Sequence, residues 1–108
     1  MNRTEQIERL AEELMGWHKY EYDNNTKWNW IKKGNIMARQ ASPNWNPFEK
    51  WNDAGMILER VKTLSPATRY AFTVAVCKLN GATAYEILMN LTPAIISEAA
   101  LKTLEVKE

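Results

Sequence analysis

Apolar positions recur every three or four residues near the start of the chain, then every second residue. Ile7, Leu10, Ala11, Leu14 and Met15 follow the i, i+3, i+4, i+7, i+8 spacing of one buried stripe, which predicts a helix over residues 1–16. Asn2 or Thr4 caps its first turn, Glu5 and Glu8 suit its positive end, and Gly16 suits a left-handed stop. His18, Tyr20 and Tyr22 then alternate with Trp17, Lys19 and Glu21, the period of a strand. Asp23-Asn24-Asn25-Thr26 reads as a turn, Trp28 and Trp30 alternate with Asn29 and Ile31 in a second strand, and Lys33-Gly34-Asn35 is a second turn. Ile36 to Gln40 forms a third strand of this antiparallel meander.

Ser42-Pro43-Asn44 breaks the pattern. Asn46-Pro47-Phe48-Glu49 then sets a capping asparagine before a proline, with a glutamate three residues past the cap, and opens a helix. Trp51, Ala54, Leu58 and Val61 are its core stripe, widened by Ile57 and Leu64, and Ser65-Pro66 ends it. Tyr70, Phe72, Val74 and Val76 alternate with Ala71, Thr73, Ala75 and Cys77. The alanines tolerate a helix, but Asn80-Gly81 fits a tight hairpin turn and favours a strand over Arg69 to Leu79. Thr83, Tyr85, Ile87 and Met89 alternate on the returning strand. Thr92-Pro93 starts a last helix, lined by Ile96, Ala99, Ala100 and Leu104. The predicted class is α+β: one antiparallel sheet, meander plus hairpin, sandwiched between helices in the order α-β-β-β-α-β-β-α. No internal repeat or low-complexity tract interrupts it, and residues 1–108 read as a single domain.

Composition narrows the class. Apolar residues make up 45 % of the 108 and charged residues 25 %, an ordinary globular balance. No apolar run approaches the roughly 18–20 residues of a membrane span. The charged amphipathic start is unlike a secretory signal, and a lone Cys77 suits a reducing compartment, so the expected location is cytoplasm. Net charge is +1 but uneven: residues 17–51 hold six basic and three acidic side chains. The same segment holds eight of the eleven aromatic residues and all five tryptophans.

Several stretches carry a family resemblance. Leu14-Met15-Gly16-Trp17 closes the first helix, Trp45-Asn46-Pro47-Phe48 opens the second, and Val61-Lys62-Thr63-Leu64 ends it. The tail runs Thr92-Pro93-Ala94-Ile95-Ile96-Ser97-Glu98-Ala99-Ala100-Leu101. In order and spacing these resemble the phage ABA-sandwich domain family, over nearly the whole chain. The resemblance implies a sheet between helical layers and a phage or prophage origin, hence the bacterial host's cytoplasm. It brings no activity and no catalytic residues. The chain departs from the family pattern at Asn80 to Leu91, where Tyr85-Glu86-Ile87-Leu88-Met89 stands in place of tryptophan or small residues.

Chemistry-bearing side chains are scarce. His18 and Cys77 are the one conventional base and nucleophile, and as a pair they need adjacency and a third orienting group. A buried, inert thiol is the commoner state for such a cysteine. One histidine and one cysteine cannot complete a zinc shell, Asp23-Asn24-Asn25 lacks the rest of a calcium loop, and the glycines are isolated. Neither catalysis, metal nor cofactor is expected.

Aromatic and basic residues point to binding instead. Trp17 and Trp51 read as core. Trp28 and Trp30 share one strand face, with Lys27, Lys32 and Lys33 flanking, and that face is either core or a stacking surface. The expected contact set is Trp28, Trp30, Lys32, Lys33, Arg39 and Trp45, with Lys50 adding to the basic field. Such a field steers an anionic partner: an acidic protein face, a nucleotide signal or a nucleic acid. The leading expectation is a non-enzymatic phage accessory protein that binds and blocks a host protein or immune complex, most concretely an anti-CRISPR-like inhibitor of anti-phage defence. A sponge for a nucleotide-type immune signal at a homodimer interface, or a nucleic-acid-binding phage protein, are the alternatives.

Overall fold

The computed structural model describes residues 1–22, 27–81 and 83–106. The predicted turn at Asp23-Asn24-Asn25-Thr26 lies outside the described residues. The chain has the expected α+β class, with a three-stranded antiparallel sheet and helices before and after it. It divides into two compact units, Met1–Trp45 and Asn46–Glu108.

The first unit opens on α1 (Arg3–Arg9). Asn2 Oδ1 accepts from the Glu5 amide at 2.8 Å, and the Asn2 amide donates to Glu5 Oε1 at 3.0 Å, a complete capping box. The helix then widens into a π-helical turn over Leu10–Leu14, closed by Met15 N donating to Leu10 O at 3.0 Å. Leu10, Ala11 and Leu14 of that turn are buried. Gly16, at φ 74°, redirects the chain into β1 (Trp17–Tyr22).

β2 (Lys27–Lys32) is the central strand, between β1 and the edge strand β3 (Asn35–Ala41). Trp17 pairs with Lys32, Lys19 with Trp30 and Glu21 with Trp28, which places these six on one face. Glu8 Oε2 reaches Lys19 Nζ at 3.8 Å, an ion pair between α1 and β1.

The second unit is helical. α2 (Trp51–Val61) starts five residues after Asn46, later than the capping signal predicts. Asn46 instead organises a separate turn: its Oδ1 accepts from Phe48 N at 3.1 Å, its Nδ2 donates to Glu49 Oε2 at 2.7 Å, and its amide donates to Asp53 Oδ2 at 2.8 Å. Ala54, Ile57 and Val61 are the buried stripe, whereas Trp51, expected in it, is 58 % exposed at the first helical position.

The predicted hairpin over Arg69 to Met89 is two helices, α3 (Pro66–Asn80) and α4 (Ala84–Asn90). Ser65-Pro66 starts α3, with Ser65 Oγ accepting from Thr68 N at 3.3 Å and proline at the first position. Phe72, Ala75 and Val76 are buried at helical spacing, which the alternating pattern also contains. Gly81 ends α3 at φ 112°, its amide donating to Cys77 O at 2.9 Å, so Asn80-Gly81 is a helix stop here. Asn80 Nδ2 donates to Ile87 O at 3.0 Å and ties α3 to α4. Thr92-Pro93 starts α5 (Pro93–Val106) as expected, Thr92 Oγ1 accepting from Ile95 N at 3.2 Å. Ile96, Ala99, Ala100 and Leu104 are buried along it.

Candidate functional site

Of the six expected contact residues, two are enclosed. Trp30 is 1 % and Trp45 3 % exposed, so neither offers a ring to a partner, which corrects their assignment to the contact set. Trp30 lies on the central strand, on the face it shares with Trp17, Lys19 and Trp28, and the Trp28 ring packs edge-on against it. Trp45 stands edge-on to Trp17, with ring centres 4.9 Å apart and planes at 68°. Neither buried indole N–H meets an acceptor among the described residues.

Trp28 is half-buried. Its ring centre lies 5.1 Å from that of Trp30, and Lys19 Nζ sits 4.3 Å from its centroid. That cation occupies the position a stacked base would take. Lys32, Lys33 and Arg39 are exposed. Trp28 and Lys32 are four residues apart on one strand, about 13 Å. Arg39 pairs with Ile31 and thus shares the opposite sheet face from Trp28. The predicted residues therefore do not converge on one aromatic platform.

The hairpin joining β2 to β3 brings three of them together with two residues absent from the expected set. Lys32 pairs with Asn35 across the two-residue loop Lys33-Gly34, and Gly34 adopts φ 85°. The next β2 residue, Ile31, pairs with Arg39. Ile36, Met37 and Ala38 therefore have no counterpart on β2 and bulge from the edge. Asn35 Oδ1 accepts from Met37 N at 3.0 Å and holds the bulge in shape. It leaves Ile36 56 % and Met37 87 % exposed, between Lys32-Lys33 and Arg39. No residue of β3 is buried. The only sequence signal for this was the adjacent pair Ile36-Met37, which breaks strand alternation.

No acidic residue occurs between Asp23 and Glu49, so the bulge lies in a run whose only formal charges are positive. The combination is two projecting apolar side chains with a cationic border, the composition of a contact patch with an anionic counterpart.

Conventional catalytic groups stand in other settings. His18 is exposed on β1. Cys77 is half-buried on α3, in the wall of an apolar pocket of about 190 Å³ that Phe72, Val76, Ile87 and Ile96 also line. Among the described residues no group of three His, Cys, Asp or Glu side chains could hold a metal ion, and no helix is long and apolar enough to cross a membrane. Comparison of the chain with protein-family models, with curated proteins and with solved structures finds no match.

Proposed function

We propose that the protein works by binding, docking the bulged β3 edge onto an acidic face of a partner protein. The observation that carries this reading is Met37, 87 % exposed on a bulge that a side-chain hydrogen bond holds in place. Met37, with most of its surface in water, adds little to the first unit's own core. In a desolvated contact anchors such as Met37 and Ile36 contribute about 1–2 kcal/mol each. Lys32, Lys33 and Arg39 accelerate encounter with an anionic surface. The burial of Trp30 and Trp45 removes two of the rings that a nucleotide sponge or a nucleic-acid stacking surface would use, so an acidic protein face is preferred.

In its concrete form the reading follows the resemblance in the sequence. The protein is a phage or prophage accessory protein acting in the host cytoplasm, blocking a host macromolecule of the anti-phage defence. The test is a paired capture experiment from bacterial lysate, with the unaltered chain and with Met37→Asp as baits. A protein held by the first and lost by the second supports the reading. Capture unaffected by the substitution contradicts it. Stoichiometric uptake of a nucleotide in calorimetry would replace it with the sponge.

A further inference from the structure

We propose that a groove between α3 and α5 binds a small amphipathic monoanion, an aliphatic or aromatic carboxylate. The groove is about 450 Å³ and lies within the range of roughly 300–1,000 Å³ that small-ligand pockets occupy. Ala71, Val74 and Leu79 of α3 supply its apolar wall, and Lys78, Lys102 and Glu105 its charges. Two ammonium groups against one carboxylate leave a surplus of one positive charge.

Neither ammonium forms an ion pair among the described residues. Lys78 lies in the last turn of α3, where it also offsets the negative helix end. Lys102 is outside the last turn of α5, so that role does not account for it. Their aliphatic stems can line an apolar ligand while the charged ends meet its head group. Tyr70 is 71 % exposed and lies four residues before Val74, on the same side of α3, where it can cover a bound chain. A cationic ligand would face two like charges, and a dianion would exceed the surplus and meet Glu105. A macromolecular partner needs roughly 1,000 Å² of contact, more than this short groove provides.

The experiment is an amide-shift titration of the full chain with decanoate, decanol and decyltrimethylammonium in turn. Decanoate should give saturable shifts centred on Val74, Lys78 and Lys102, with the other two ligands weaker. The Lys78→Gln and Lys102→Gln pair should weaken decanoate about tenfold while leaving decanol unchanged. Val74→Trp, with its native spectrum checked, should abolish the shifts by filling the groove. Equal binding of decanol, shifts confined to the pocket around Phe72 and Cys77, or no saturable shift with decanoate would each overturn the proposal.

Discussion

Trp28 and Trp30 meet edge to face, ring centres 5.1 Å apart and planes at 89°. That contact divides the aromatic strand into an enclosed ring and a half-buried one. Lys19 Nζ covers the half-buried ring at 4.3 Å, so both indoles serve the packing of the first unit.

Trp30→Ala should therefore cost about 3–5 kcal/mol of stability, the usual penalty for emptying a buried aromatic site. Trp30→Phe should cost clearly less, because it also removes an indole N–H with no acceptor among the described residues. Met37→Ser should stay within about 0.5 kcal/mol, as exposed substitutions do. Urea unfolding of the three variants measures all of this. A Met37→Ser penalty as large as that of Trp30→Ala would contradict the assignment of Met37 to the surface.

Glycines 34 and 81 should respond differently to alanine. Both adopt positive φ, 85° and 112°, which strains any side chain. A Cβ at Gly34 meets nothing within 4 Å, whereas one at Gly81 comes within 2.9 Å of Glu86 Cβ. Gly34→Ala should cost about 1 kcal/mol and Gly81→Ala distinctly more. Equal losses in a thermal melt would mean that the α3–α4 junction is looser than its geometry.

Asn2→Ala removes the Oδ1 that accepts the Glu5 amide, leaving only the backbone bond from residue 2 to Glu5 Oε1, and should destabilise α1 by about 1 kcal/mol. Asn2→Asp should keep most of it, since the carboxylate accepts the same Glu5 amide and suits the positive helix end. A null effect of Asn2→Ala on unfolding would show that α1 owes nothing to its cap.

These contrasts follow the boundary between what local sequence specifies and what it leaves open. Ser65-Pro66 and Thr92-Pro93 both start helices through short-range chemistry: a hydroxyl cap, then a proline whose φ is already helical. Ser65-Pro66 does both: α2 has ended before it, as expected, and the same pair caps and starts α3. The strand expected at Arg69 to Leu79 failed for a related reason. Phe72 and Val76 are two alternations apart and also one helical turn apart, so both periods fit, and Asn80-Gly81 closes a hairpin or a helix equally well. Trp51 carried the helical stripe to its first residue, where nothing obliges the ring to be covered. For the candidate site, Lys32, Lys33 and Arg39 were legible as surface cations. Their apolar companions Ile36 and Met37 were not, because a bulge depends on how β3 registers against β2 rather than on local preference.

Association should be sensitive to salt through its rate rather than through its apolar core. Lys33→Glu should slow association several-fold at low ionic strength and converge with the unaltered chain near 1 M salt, where screening acts within about 3 Å. Stopped-flow mixing with the captured partner reads this. An unchanged association rate at low salt would remove the basic border from the binding surface.

The most direct measurement is the affinity of the captured partner for two variants, each substituting an exposed apolar residue in a different unit. Met37→Asp should weaken binding by about tenfold or more, while Tyr85→Asp on α4 leaves it unchanged and both proteins unfold like the parent. The opposite result, with Tyr85→Asp abolishing binding and Met37→Asp tolerated, would place the contact on α4 and not on the β3 edge.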